Sequence, residues 1–373
     1  MTYEIGKLLL ESLLPAMARA EDQLARLDEI VRRSPAGEGF VERGHFFDAA
    51  ASMWVAGELV HIEDLVLHDA RMDVRAPTHE LTIAHAILRS RRRIAGVEPS
   101  WAFSEAGLAA LAGSAAIEPD RDFASPDPVG QVDLDSADER DDDPLAREFA
   151  HIDAVITRSQ RVLEHLAEGV IPKPPERSLL AVGDLVIRDP DWDERERMAE
   201  WRNVLKATEE FPPVLSAALL FDAWETLEPL QRQHGLGGQL VAAHLRARGK
   251  VMSHLPTFHV GLKAVPRERR RAHGRTARLQ AFLDAMSAAA EAGFKEIARL
   301  SHAREQMERK ARGRRSSSSL PAAIELILSR PIVSAATVAK AAGVTPRGAL
   351  NLIADLGIRE ATGRGRYRAW GVI

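Results

Sequence analysis

Apolar residues recur every three or four positions along most of the chain, which is the spacing of one face of an α-helix. The first such stretch covers residues 2–33 and stops at a turn over residues 34–37. The same spacing predicts further helices over about 45–68, 78–95, 103–114, 145–169, 193–207, 212–227, 236–249 and 266–312. Runs of β-branched and aromatic residues are scarce before the last few dozen positions. The pattern therefore predicts a mainly α fold with a helical, multi-domain body.

Two stretches interrupt this pattern and predict the domain organisation. Residues 117–143 combine prolines with a run of aspartates and glutamates, so they can bury little and repel one another. Residues 313–319 end in four consecutive serines, a composition typical of flexible linkers. We therefore expect an N-terminal helical region at 1–116, an acidic linker or loop at 117–143, a helical domain at 144–312, a Ser-rich linker at 313–319 and a terminal domain at 320–373.

The charge of the chain is divided between its two ends. Residues 1–242 carry a net charge of −20 and residues 243–373 one of +16, within a total of −4. A basic end on an acidic body favours a polyanion as the partner of that end. The chain has no cysteine, which excludes a disulfide framework, thiolate zinc sites and a cysteine nucleophile. It also has no run of about 20 apolar residues, so we expect no membrane partner and a cytoplasmic, nucleoid-associated location.

Residues 320–373 have the pattern of a winged helix-turn-helix. A first helix with one apolar face is predicted over about 321–329. Ser334 is placed to cap a second helix over 335–342, which Gly343 ends in the left-handed conformation. The turn at this glycine, between two short helices, is the feature that predicts the helix-turn-helix.

The third helix of this domain is the predicted recognition helix. Thr345 caps it and Pro346 occupies its first position, and the helix runs to about residue 356, before Gly357. Beyond that glycine, short alternating runs on either side of a Gly-containing turn predict a β-hairpin over about 358–370. The tip and the outgoing strand of this hairpin are cationic, as a DNA-contacting wing requires.

Six side chains of this domain are the candidate DNA-binding residues. The N-terminal half of a recognition helix enters the major groove, so Thr345, Arg347 and Asn351 are candidates for contacts with bases or phosphates. The wing places Arg364, Arg366 and Arg368 to contact the DNA backbone or the minor groove. Because helix-turn-helix geometry also serves as a packing module, the alternative is that these charges are solvated on a domain that binds protein.

Residues 224–250 read WETLEPLQRQHGLGGQLVAAHLRARGK. They resemble the loop between two helices of Fic proteins, His-Pro-Phe-x-Asp/Glu-Gly-Asn-Gly-Arg-x-Gly-Arg, which many multi-domain members combine with a C-terminal winged helix-turn-helix. Pro229, Gly235 and Gly238 match that motif. The resemblance implies a Fic-like core within residues 144–312.

The functional positions of the Fic motif are replaced in this chain. The resemblance assigns the catalytic histidine, the acidic metal ligand, the asparagine and the first arginine of the motif to Glu228, Arg232, His234 and Leu236. An arginine cannot ligate magnesium and a leucine cannot neutralise a phosphate. We therefore expect a degenerate loop with no catalytic residue, no cofactor and no metal site, in a protein that is not an enzyme. Residues 52–57 resemble the autoinhibitory motif of the family without its glutamate.

Over nearly its full length the chain also resembles an uncharacterised bacterial family, often plasmid-borne, in which a helical domain of unknown function precedes a C-terminal helix-turn-helix DNA-binding domain. The resemblance implies DNA binding. We therefore predict a transcriptional regulator that binds double-stranded DNA as a homodimer, because operators are usually two-fold symmetric. The alternative is a catalytically decayed Fic-like protein that acts as a protein-interaction or nucleotide-sensing module, or that retains residual nucleotidyltransferase activity.

Overall fold

The structure is a computed structural model that describes residues 3–6, 8–73, 76–113, 192–231, 235–312, 319–362 and 368–372. Over these residues the fold is mainly α, as the apolar spacing predicted. The helices are α1 (Leu10–Arg33), α2 (Gly37–Ala56), α3 (Ile62–Asp69), α4 (His79–Gly96), α5 (Glu105–Gly113), α6 (Glu194–Ala207), α7 (Pro213–Leu227), α8 (Leu236–Ala247), α9 (Phe258–Ala264), α10 (Arg267–Arg270), α11 (Arg275–Ala311), α12 (Ser319–Ser329), α13 (Ala335–Ala342) and α14 (Pro346–Leu356). A short 3₁₀ helix, Trp101–Phe103, precedes α5. The strands are β1 (Val333–Ser334), β2 (Arg359–Glu360) and β3 (Ala369–Gly371).

The long helix α11 connects most of the other helices that the structure describes. At 1.5 Å per residue its 37 residues span about 55 Å. α1, α2, α7, α9, α12 and α14 all contact it. One hydrophobic core runs along it, from Phe282 near the start of α11 to Met307 near its end. This core supplies most of the buried apolar surface that holds the fold together.

The first helix is shorter than the apolar pattern predicted. α1 begins at Leu10 because tertiary hydrogen bonds hold the segment before it. Arg275 donates to the backbone oxygens of Glu4 and Ile5 at 2.7 and 2.6 Å, and these are acceptors that a helix here would use. Gly6 has a φ of +57°, which a right-handed helix does not allow. The prediction of a helix from residue 2 is therefore wrong in its first turns.

Two other predicted helices are divided in the structure. The stretch 45–68 belongs to α2 and α3, and Gly57 ends α2 with a φ of +97°. The stretch 266–312 belongs to α10 and α11, separated by residues 271–274. The apolar pattern did not predict α9. The helices predicted over 78–95, 193–207, 212–227 and 236–249 agree with the structure to within a few residues, and the one predicted over 145–169 lies outside the described residues.

The C-terminal segment packs directly on the helical body. Its strands form an antiparallel sheet in the order β1-β3-β2, in which Val333 pairs with Trp370. Ile332 and Ala369, next to this pairing, share a buried cluster with Phe46 and Leu65 of the body. The described residues of the body and of this segment form one compact unit. Among the residues that the structure describes, no helix combines the length and the apolar composition that a membrane span requires.

Candidate nucleic-acid interface

The helix-turn-helix forms through local hydrogen bonds that the sequence predicted. The Ser334 hydroxyl accepts from the backbone N–H of Thr337, whose side chain in turn accepts from the backbone N–H of Ser334. Gly343 ends α13 with a φ of +64°, in the left-handed region that glycine adopts without strain. Thr345 caps α14 by accepting from the backbone N–H of Gly348 at 3.1 Å. These bonds set where α13 begins and ends and where α14 begins.

The two sides of α14 differ in burial. Ala349, Ile353 and Leu356 are buried and pack in the core that extends from α11. At the C-terminal end of α14, the ammonium of Lys310 donates to the backbone oxygen of Leu356 at 3.3 Å, which ties α14 to the end of α11. The helix is therefore anchored from behind and at one end, and its N-terminal half is left open to solvent.

The three candidate residues of the recognition helix lie together on this open face. Thr345, Arg347 and Asn351 are all exposed. The oxygen of the Thr345 side chain already accepts the capping hydrogen bond, whereas Arg347 has no ion-pair partner among the described residues. The positive end of the α14 dipole adds to the positive potential here, and Lys340 is exposed on the preceding helix α13. This arrangement suits a polyanion.

The residues of the predicted wing are only partly described. Arg364 and Arg366 lie outside the described residues. Arg368 is 52% exposed and donates through Nε and Nη2 to one oxygen of Glu360, at 3.0 and 2.6 Å. This hydrogen bond and the charge of Arg368 hold the pKa of Glu360 below its usual value. The charge of Arg368 is therefore paired with that of Glu360 on β2, a contact that the sequence did not predict.

Sequence reasoning also omitted Leu350 and Lys340 from the interface. Leu350 is 41% exposed although it is apolar, and it lies three residues after Arg347 on α14. Lys340 is exposed near the end of α13. The helical spacing of three residues from Arg347 was the signal that could have identified Leu350.

The predicted degenerate Fic loop joins α7 to α8. Glu228 is exposed and ends α7 in the left-handed conformation, with a φ of +44°, and Pro229 after it is buried. His234 lies outside the described residues. A Cβ built on Gly235 would lie 2.7 Å from the Ser52 hydroxyl, and one on Gly238 would lie 2.3 Å from Nε2 of His259. An alanine at either position would therefore displace a side chain of α2 or α9.

Beneath this loop lies a buried ion cluster centred on Asp48. The carboxylate accepts from Nη1 of Arg91 at 2.5 Å, from the backbone N–H of His259 at 2.7 Å and from that of Val260 at 3.1 Å, and it contacts Nδ1 of His259 at 3.0 Å. Burial opposes ionisation, but Arg91 and His259 outweigh it and hold the pKa of Asp48 below its usual value. The cluster ties α2, α4 and α9 together. Among the described residues, no group of three or more histidines, aspartates and glutamates is arranged to hold a metal ion.

These features define a mainly helical protein with a C-terminal helix-turn-helix. Residues 320–373 match the family described as "HTH DNA binding domain", and residues 186–312 match "Protein of unknown function (DUF1612)". The chain is 44% identical over 385 residues to "Uncharacterized protein y4cF" of Sinorhizobium fredii (strain NBRC 101917 / NGR234), with 100% of each chain covered. The chain belongs to the family of that protein. The predicted combination of a domain of unknown function with a C-terminal helix-turn-helix DNA-binding domain is thereby confirmed.

Proposed function

We propose that the chain is a transcriptional regulator that binds specific sequences in double-stranded DNA by inserting the N-terminal half of α14 into the major groove. The observation that carries this proposal is the open face of α14. Arg347 and Asn351 are exposed there, one helical turn apart, on a helix that Ala349 and Ile353 anchor from behind. Side chains that are exposed on an anchored helix are available to a ligand without any rearrangement of the fold.

Each side chain of this face has a matching group in the major groove. The guanidinium of Arg347 can donate two hydrogen bonds to O6 and N7 of guanine, and the amide of Asn351 can pair with N6 and N7 of adenine. Thr345 lies at the helix start, where contacts with a phosphate position the protein rather than select a sequence. Arg364, Arg366 and Arg368 of the wing would contact the backbone or the minor groove, and Arg368 would keep Glu360 as a second partner.

The packing of the domain supports a fixed orientation on DNA. The guanidinium of Arg43 in α2 donates to the backbone oxygens of Arg330 and Val372, at 2.5 and 3.2 Å, and pairs with Glu296 of α11 at 2.6 Å. Because the body holds the domain at Arg330 and at Val372, we propose that the body sets the spacing of two recognition helices in a homodimer. Sedimentation velocity of the full chain should then give a dimer. Footprinting on the bound duplex should give a protected site with two half-sites. A monomer bound to a single half-site would contradict the proposed homodimer and leave the proposed DNA binding standing.

Selection from a random duplex library tests the proposed function. The full chain should enrich a defined sequence, and its affinity for that sequence should fall steeply as salt concentration rises. Arg347→Ala and Asn351→Ala should each weaken binding to the selected site by about 1–3 kcal/mol, or about 5- to 150-fold. Arg195→Ala is the matched control, because Arg195 is an exposed arginine in the first turn of α6. Binding without sequence preference, or equal binding by Arg347→Ala, would reject the proposal.

A second candidate function is a decayed Fic-like module that senses a nucleotide or binds a protein. One contact supports it: Ser52, which begins the segment that resembles the autoinhibitory motif, packs against Gly235 of the degenerate loop. This candidate predicts that the full chain retains ATP in the presence of magnesium. Incubation with labelled ATP separates the possibilities, since transfer of label to protein indicates a nucleotidyltransferase and retention without transfer indicates a sensor. Neither outcome is expected if the loop only packs against α2 and α9.

A further inference from the structure

Leu350 is exposed on a helix whose other large apolar side chains are covered. On α14, Ile353 and Leu356 are buried, and Leu352 packs partly buried against the same core. Leu350 is 41% exposed. Single exposed leucines are ordinary on protein surfaces, so exposure alone says little. The informative feature is its position beside Arg347 on the face that points away from the body.

Helix geometry places the side chains of Arg347, Leu350 and Asn351 side by side. Successive residues are rotated by about 100°, so Leu350 and Asn351 lie about 60° to one side and about 40° to the other side of Arg347. From Arg347 to Asn351 the helix rises about 6 Å, close to the length of two base-pair steps of about 3.4 Å. The three side chains can therefore reach neighbouring base pairs at the same time.

The surroundings of Leu350 suit one kind of apolar group. Residues 345–352 contain one arginine and no acidic residue, and Lys340 is exposed on the preceding helix. A surface of this charge attracts a polyanion. The apolar group that duplex DNA displays in its major groove is the C5-methyl of thymine, which makes contact with apolar side chains.

We propose that Leu350 is a specificity-determining residue that contacts the C5-methyl of a thymine next to the bases contacted by Arg347 and Asn351. This inference rests on the proposed function, since it requires α14 to enter the major groove. It makes the preferred ligand a duplex with thymine at one fixed position in each half-site. Binding buries the exposed side chain of Leu350 and removes a methyl group from water.

The test uses the full chain and the duplex selected from the random library. Each thymine is replaced in turn by deoxyuridine, which keeps its base pairing and lacks only the C5-methyl group. For the wild-type chain, one replacement in each half-site should weaken binding about fourfold, the effect of burying about one methyl group. In Leu350→Ala the same replacement should have no effect, because the contact is already lost. Since Leu350 is exposed, Leu350→Ala should fold normally, and circular dichroism verifies this.

The controls separate this inference from the function on which it rests. Leu59→Ala removes another exposed leucine, in the segment between α2 and α3 and far from α14 in sequence, and it should retain the full deoxyuridine effect. If the wild-type chain selects a sequence but no deoxyuridine replacement weakens binding, Leu350 does not contact a methyl group and only this inference is rejected. The same conclusion follows if Leu350→Ala retains the effect, or if it changes the oligomeric state while DNA affinity is unchanged. A chain that selects no sequence at all rejects the proposed function and the inference together.

Discussion

Arg91 in the body and Arg347 on α14 carry the same guanidinium in opposite settings. Arg91 is 0% exposed and donates to Asp48 and to the backbone oxygens of Leu255 and Pro256. Arg347 is exposed and has no ion-pair partner among the described residues. The difference separates charges that hold the fold together from charges that the fold leaves available.

The physical reason for this division is the cost of desolvation. A charge that loses water must be compensated by fixed partners, and burial among those partners keeps it out of reach of a ligand. The body follows this rule at Asp48 and at Arg43, whose hydrogen bonds join α2 to the C-terminal domain. An exposed arginine keeps its hydration and can exchange it for a phosphate or a base. Three predictions test this comparison.

The largest effect is expected from Arg91→Met. This change leaves Asp48 ionised and buried with only His259 and two backbone N–H groups, so the free energy of unfolding should fall by about 3–5 kcal/mol. Urea unfolding followed by tryptophan fluorescence measures the loss. Arg347→Met, the same substitution on α14, should leave the unfolding curve unchanged. Equal stability of the two variants would contradict the division between structural and available charges.

Gly238→Ala should have a smaller but clear effect on the same cluster. The added Cβ would lie 2.3 Å from Nε2 of His259, so the ring that contacts Asp48 must move. We expect a loss of about 1–3 kcal/mol in the free energy of unfolding, although alanine favours a helix more than glycine does. Gly96→Ala is the control, since nothing lies within 4 Å of its added Cβ. Its stability should be equal to that of the wild type or slightly higher. A neutral Gly238→Ala would show that His259 has room to move.

The smallest effect is expected from mild acidification, by one pH unit below 6.5. Burial, with a contribution from Arg91, lowers the pKa of His45 from 6.5 to about 3, and burial lowers that of His244 to about 3 as well. The unfolded chain therefore binds more protons below pH 6.5, and stability should fall as the pH drops from about 6.5 towards 3. Each histidine contributes up to about 1.4 kcal/mol per pH unit. In His45→Gln and His244→Gln the midpoint temperature of thermal unfolding should depend less on pH across this range, whereas in the exposed His273→Gln it should depend on pH as in the wild type. A profile unchanged in both buried variants would show that neither imidazole stays neutral.

The helix-turn-helix was predictable because its signals act locally. Ser334, Gly343 and Thr345 each form their defining bonds within five residues along the chain, so their spacing alone predicts α13 and α14. The mainly α class was predictable for the same reason. The strand β1 was missed, since Val333 becomes a strand residue only by pairing with Trp370, 37 positions further along.

The Asp48 cluster could not be predicted from the sequence. Its carboxylate binds Arg91 and His259, which are 43 and 211 positions away, and neither spacing resembles a motif. The close approach of Gly238 to His259 gives a packing reason for a glycine that the resemblance to Fic proteins assigns to a degenerate loop. Long-range contacts of this kind produce no periodic pattern in the sequence, because nothing fixes the number of residues between the two partners.

The order of amino acids determined most of the helices, the caps of α13 and α14 and the exposed candidates Arg347 and Asn351, because these depend on bonds and periodicities within a few residues. Only the tertiary structure decided which charges have partners. In the folded chain Arg91 is buried in an ion pair with Asp48, and Arg368 forms an ion pair with Glu360. Arg347 has no ion-pair partner among the described residues. The pairing of a charge depends on which acid the folded chain places within about 4 Å of it, and that distance is set by packing rather than by sequence separation.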